Sequence, residues 1–166
     1  MMYRFLYAVL LFQACSGSQN ISNPLIFKNK TLEKVVSKYA QSLDSTQSHN
    51  TPITLSINLD TDTANIAIVD ALPDLTIGNY YGATEVGNHF VYVVCTAGNN
   101  NGFFTTTSRS EIPPELKEKI QRQQDGHEIP TIREPQAWFL RFKSNVLIDY
   151  IPKAKIDSLL PGLIRR

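Results

Sequence analysis

Cysteine is scarce in this chain of 166 residues, which has Cys15 and Cys95 and no others. An exported domain that depends on disulfides usually carries more cysteines, so we expect a fold held by its hydrophobic core. Lysine and arginine are missing between Lys38 and Arg109, and the 16 lysines and arginines are nearly balanced by 15 acidic residues. The absence of a basic excess argues against a nucleic-acid partner.

Sequence motifs of catalysis are also missing. The histidines, His49, His89 and His127, show none of the spacings of a zinc site, and no glycine motif for phosphate or dinucleotide binding occurs. His89 and Cys95 belong to one predicted strand, about 20 Å apart at ~3.3 Å per residue, which is too far for a catalytic dyad. We therefore predict no catalytic residue, no metal, no cofactor and a buried, inert Cys95 thiol.

No apolar run is long enough to span a membrane. The run from Phe5 to Phe12 would cover only about 12 Å as a helix, against a hydrocarbon core of ~30 Å. It follows a short segment that ends in Arg4 and precedes small and polar residues, which is the three-part plan of a secretory signal. We therefore predict a cleaved signal peptide over residues 1–14.

The segment Phe12-Gln13-Ala14-Cys15 resembles a loose lipobox of bacterial lipoproteins. The resemblance implies cleavage before Cys15 and attachment of a diacylglycerol to its thiol, with palmitate as an expected acyl chain and the lipid bilayer as a partner. Ser16 stands where aspartate would retain such a protein in the inner membrane. The acidic run that directs some such lipoproteins to the cell surface does not follow the cysteine. The resemblance therefore implies an envelope lipoprotein in the outer membrane, facing the periplasm. The small and polar residues after the cysteine predict a tether over 15–28.

Three other interpretations of the leader stay open. An ordinary signal peptidase that cuts near Ala14 or Gly17 would release a secreted protein without lipid. In a eukaryotic secretory pathway, Asn20 and Asn29 begin sequons that would accept glycans. In the third interpretation, the first residues are apolar by coincidence and do not form a signal peptide.

Residues 29–166 predict a single α+β domain with two main helices. Apolar residues at positions 32, 35, 36, 39, 40 and 43 trace one face of an amphipathic helix, which Thr31 is placed to cap. Residues 113–124 predict a second, polar helix on the surface, because only two of its positions are apolar on an inner face. A short helix is also expected in the C-terminal tail.

Apolar alternation predicts an antiparallel sheet of about five or six strands, packed on the N-terminal helix. In the last hairpin, Arg141 and Asp149 are expected to lie nearly opposite each other. A strand that is apolar on both faces is expected to be central. The predicted strands are 53–59 and 64–71 (a hairpin), 88–97 (central), one that starts in 103–108 as its partner, and 137–142 and 146–151 (the last hairpin).

The segment 73–89 predicts a long connection, with three glycines, two tyrosines and little periodicity. Loops of this length in compact domains are often functional, and tyrosine offers much contact area at low entropic cost. Tyr80 and Tyr81 are therefore the candidate binding residues. The alternative is that the tyrosines pack under their own loop or belong to a further strand.

These observations favour a membrane-anchored envelope lipoprotein that acts as a binding or interaction module, with an envelope protein as its expected partner. The alternative is an exported hydrolase that uses dispersed carboxylates around Asp70, Asp74 and Glu85. Such an enzyme needs two carboxylates within about 5–10 Å of each other.

Overall fold

A computed structural model describes residues 21, 23–45, 51–75, 78–97, 102–105, 111–126 and 136–163. These residues form an α+β fold with eight strands in two sheets and three helices. The helices are α1 (Lys30–Asp44), α2 (Pro114–Gln124) and α3 (Lys153–Leu159). The strands are β1 (Ile26–Phe27), β2 (Ile53–Asp60), β3 (Thr63–Val69), β4 (Asn79–Val86), β5 (His89–Ala97), β6 (Phe104–Thr105), β7 (Ala137–Lys143) and β8 (Val146–Ile151).

Several predictions made from the sequence concern residues outside these ranges. They are the signal peptide 1–14, the lipid-bearing Cys15, the Asn20 sequon and the histidines His49 and His127.

The larger sheet has six strands in the order β4-β5-β2-β3-β7-β8, and β1 and β6 form a separate pair. Both predicted hairpins are confirmed, since β2 pairs antiparallel with β3, and β7 with β8, with Arg141 opposite Asp149. The prediction of a wholly antiparallel sheet is wrong, because β5 runs parallel to β2. After β3 the chain crosses to the other edge of β2 and forms the β4–β5 hairpin there. Such a crossover joins distant segments and has no local sequence pattern.

Helix α1 packs on one face of the six-stranded sheet. Its buried stripe consists of the positions expected from the sequence and belongs to one core cluster with inward-facing residues of the strands. Tyr39 lies at the centre of this contact, where its ring meets Trp138 edge-on with the ring centroids 5.1 Å apart. The Tyr39 hydroxyl donates to the backbone oxygen of Gln136, so the end of the helix is fixed to the start of β7. The buried positions are Leu32, Val35, Val36, Tyr39, Ala40 and Leu43.

Asn29 caps α1 in place of the predicted Thr31. Its Oδ1 accepts hydrogen bonds from the backbone N–H groups of Thr31 and Leu32, at 3.1 and 3.0 Å. Asn29 has the extended backbone of an N-cap residue, whereas Thr31 is already inside the helix. Its Nδ2 donates to the backbone oxygen of Asn145 at 2.7 Å. A glycan on Asn29 would be attached to this same nitrogen, directly beside Asn145.

The folded domain begins before residue 29, inside the segment 15–28 that the sequence assigns to a tether. Leu25 and Phe27 are buried, and the rings of Phe27 and Phe104 have centroids 4.9 Å apart. The contact arises because β1 pairs with β6. The prediction that the segment 103–108 pairs with the central strand β5 is therefore wrong for its described part.

Helix α2 covers part of the opposite face of the sheet, over β4 and β5. Leu116 is buried in a second cluster with Ala83 and Tyr92, and the outer side carries an exposed ion pair between Arg122 and Glu118. The predicted surface helix is thus confirmed. The predicted tail helix is α3, which Ile156 attaches to the main core. Over β2, β3, β7 and β8, this second face carries no helix among the described residues, and we call it the open face.

Candidate functional site

A groove of about 370 Å³ runs over the open face of the sheet. Side chains at alternate positions of β2, β3 and β7 point into it, because the other positions of those strands are buried under α1. The lining residues are Ser56, Asn58, Asn65, Ile66, Ala67, Thr96, Phe139, Leu140, Arg141, Asp149, Tyr150 and Ile151.

Polar side chains form one row across the groove, which we call the polar row. Its members are cross-strand partners: Asn58 of β2 opposes Asn65 of β3, Asn65 opposes Arg141 of β7, and Arg141 opposes Asp149 of β8. On the other side, Thr96 of β5 donates from Oγ1 to Oδ1 of Asn58 at 2.9 Å. Neighbouring members therefore stand on adjacent strands, about 4.8 Å apart.

A second row of small and apolar side chains runs beside the polar row, and we call it the apolar row. It consists of Ser56, Ala67, Phe139 and Ile151, which are again cross-strand partners. Each lies two residues along its strand from the polar row, which is a distance of roughly 7 Å. Phe139 and Ile151 are 52% and 57% exposed. Ser56 and Ala67 are small, so the groove is deepest over β2 and β3.

The two charges of the polar row have opposite signs. Asp149 also forms an ion pair with Lys153 of α3, with Nζ and Oδ1 3.1 Å apart. Hydrogen bonds from the Lys153 side chain and the Tyr150 backbone lower the pKa of Asp149, and the positive charge of Arg141 adds to the shift. The carboxylate is therefore ionised at neutral pH and accepts hydrogen bonds only.

The predicted binding residues, Tyr80 and Tyr81, are outside the groove. The described part of the segment 73–89 is mostly strand, because β4 occupies Asn79–Val86 and β5 begins at His89. The register of β4 and β5 shifts between Tyr80 and Gly82, so the two tyrosines contact different clusters. Tyr80 packs with the cluster under α2, and Tyr81 packs with the core under α1. The structure therefore does not bring them together in one contact surface.

Two of the carboxylates of the alternative enzyme, Asp70 and Glu85, lie far apart in the sheet. Asp70 follows β3 and lies 3.4 Å from the Tyr39 hydroxyl, and Asp74 is exposed. Glu85 belongs to β4, three positions from β3 in the sheet, so Asp70 and Glu85 stand on strands about 14 Å apart. Carboxylate pairs that hydrolyse sugars are separated by roughly 5–10 Å. The groove itself contains a single carboxylate among the described residues, that of Asp149.

No protein-family model matches this chain, and no similar curated protein or solved structure was found.

A function must therefore be inferred from the chemistry of the described residues alone. They include no cluster of three or more potential metal ligands and no helix that is both long and apolar enough to cross a bilayer. Cys95 is a buried residue of β5, 7% exposed. His89 belongs to the same strand and bonds to Asp44 rather than to Cys95.

None of the groove residues was predicted from the sequence to bind a ligand, although Arg141 and Asp149 were expected to lie nearly opposite each other. Alternation in β2 and β7 already places Ser56, Asn58 and Arg141 on the side away from the core. Their assembly into rows depends on the pairing of β3 with β7, which joins the two halves of the chain.

Proposed function

We propose that this chain is a lipid-anchored protein of the cell envelope that binds a ligand in the open-face groove. The groove is the observation that supports binding. Ligand sites are usually concave and largely apolar, with a few convergent polar groups, and have volumes of roughly 300–1,000 Å³. The groove has this composition and a volume of about 370 Å³.

The anchor is supported by the leader, where an apolar run precedes Ala14-Cys15 and small polar residues follow. An acylated Cys15 would hold the domain at the bilayer, in the outer membrane and facing the periplasm. Because Leu25 is already buried in the domain, only a short polar segment separates the lipid from the fold. The domain is therefore proposed to work close to the membrane surface.

Binding is better supported than catalysis. Asp149 lacks a second carboxylate in the described part of the groove, and the carboxylates near Asp70 and Glu85 stand on strands far apart in the sheet. The envelope protein partner expected through Tyr80 and Tyr81 stays a prediction. The groove is the stronger candidate because its exposed side chains converge on one concavity.

Intact-mass analysis of the membrane-extracted protein tests the anchor. We expect wild type to begin at Cys15 and to carry added diacylglycerol mass, and the Cys15→Ser variant to carry none. Cys95→Ser is the matched control, since it removes the buried thiol and should leave the added mass unchanged. An unacylated wild type, or acyl mass that disappears in the Cys95→Ser control, would rule out the proposed anchor.

A further inference from the structure

We infer that the ligand of the groove is an uncharged saccharide. The inference rests on the proposed function, since it names the ligand class of the same groove. It follows from the charges, the hydrogen-bonding groups and the apolar row of the open face. Each of these features excludes some classes of ligand.

The charges of the polar row favour a neutral occupant. Arg141 and Asp149 are direct cross-strand partners, so an anion over Arg141 would also lie beside a carboxylate, and a cation over Asp149 would lie beside a guanidinium. The other polar members, Asn58, Asn65 and Thr96, are uncharged. A polyamine would therefore meet Arg141 and Lys153 beside Asp149, and a phosphate or a nucleotide over Arg141 would meet the Asp149 carboxylate.

The hydrogen-bonding groups exclude a purely apolar occupant. Within the described residues, the row has a side-chain hydrogen bond from Thr96 to Asn58 and an ion pair from Lys153 to Asp149. The side chains of Asn65 and Arg141 make no hydrogen bond with the other described residues. Covering these side chains without giving them partners would cost about 1–3 kcal/mol for each group. The occupant must therefore offer several donors and acceptors of its own.

The position of the groove argues against an extended peptide. A peptide strand recognises a sheet through the free backbone groups of an edge strand. The floor of the groove is formed by β2 and β3, which have hydrogen-bonded strands on both sides. Their backbone groups are used within the sheet, and the edge strand β8 only borders the groove, so recognition over the floor must come from side chains.

A pyranose ring satisfies all of these conditions. Its hydroxyl groups both donate and accept, and neighbouring hydroxyls match the paired polar atoms of Asn, Asp and Arg side chains. One face of the ring is lined by C–H groups, which pack on aromatic and aliphatic surfaces such as those of Phe139 and Ile151. The polar and apolar rows lie roughly 7 Å apart, so one ring can contact both.

The test is a titration of the full chain carrying Cys15→Ser, which removes the acyl chain as a competitor for the groove. The probes are chitotetraose and cellotetraose, two uncharged oligosaccharides, and binding is followed by amide NMR shifts. Phe139→Leu keeps an apolar side chain but removes the ring, and Asn65→Ala removes one polar member. Val146→Ser is the matched control, because Val146 is a 64% exposed apolar residue of the same hairpin that does not line the groove.

We expect at least one oligosaccharide to bind, with an affinity lowered about two- to tenfold by each groove substitution and unchanged by Val146→Ser. Absence of binding by both oligosaccharides, or equal affinity in wild type and the groove variants, would overturn the inference.

An uncharged apolar dye and an unstructured peptide are titrated in parallel. If either binds in a Phe139-dependent manner while the sugars do not, the saccharide inference fails and the groove remains a ligand site. If the anchor test fails instead, only the membrane part of the proposed function is lost.

Discussion

The Nε2 atom of His89 lies 3.0 Å from Oδ1 of Asp44, in a position where the imidazole is 1% exposed. Its Nδ1 atom lies 2.8 Å from the backbone oxygen of Thr51. Asp44 ends α1, Thr51 precedes β2 and His89 opens β5. A single buried ring therefore joins the helix to two neighbouring strands of the sheet, which gives the histidine a structural role.

Replacing His89 by leucine should destabilise the fold by about 2–3 kcal/mol, because the contacts of both ring nitrogens, with Asp44 and Thr51, would be lost at a buried position. Urea unfolding at constant m-value measures the loss. The matched control is Asp62→Asn at the exposed ion pair with Lys143, where Nζ and Oδ2 are 3.6 Å apart. That pair should contribute less than about 1 kcal/mol. Equal effects of the two substitutions would contradict the role assigned to His89.

Tyr80 should resist ionisation in the folded protein. Burial, and then the proximity of Tyr92, raises the pKa of Tyr80 from 10.0 to about 12. Because this pKa is higher in the fold than in the unfolded chain, the contribution to stability is fully present below pH ~10 and is lost as pH rises through about 12. A tyrosinate absorbance titration should show a late component that disappears in Tyr80→Phe. A titration curve that Tyr80→Phe leaves unchanged at high pH would show that this tyrosine is not protected.

Gly82 is expected to be intolerant of a side chain because of Leu25. A Cβ atom at Gly82 would lie 2.8–3.0 Å from three carbon atoms of the Leu25 side chain, which is packed in the core and only 1% exposed. Gly82→Ala should therefore cost about 1–3 kcal/mol, as measured by urea unfolding.

A double-mutant cycle isolates this contact. In a Leu25→Ala background the new methyl group has space, so Gly82→Ala should cost far less there than in wild type. Additive effects would mean that the loss arises from the β4 backbone and not from the docking of Leu25 on it.

The elements that were predictable from the sequence are those that depend on near neighbours. The stripe of α1 is visible because its residues recur at helical spacing, and the β7–β8 hairpin because Ser144 and Asn145 separate two alternating runs. Both turn residues have positive φ, at 48° and 65°, which suits a tight turn between antiparallel strands.

The elements that were not predictable depend on distant pairing. β1 has only two residues, and its strand character comes from the partner β6 rather than from its own pattern. The segment 73–89 contains the regular strand β4, but a register shift at Tyr81 obscures its alternation. The polar row is predictable only within the β2–β3 and β7–β8 hairpins. Asn65 meets Arg141 through tertiary structure, which periodicity does not report.

The pairing of β3 with β7 also affects how the protein folds. Until the C-terminal hairpin docks, β3 is the outer strand of an incomplete sheet, and Ile66 and Ile68 lack their neighbours Leu140 and Trp138. Pairing of segments so far apart in sequence raises the contact order, so folding should be slower than for a domain with local contacts. The groove spans this same ladder, so its polar row is complete only once β7 has paired with β3. A chain exported unfolded would therefore gain the ability to bind after it has crossed the membrane.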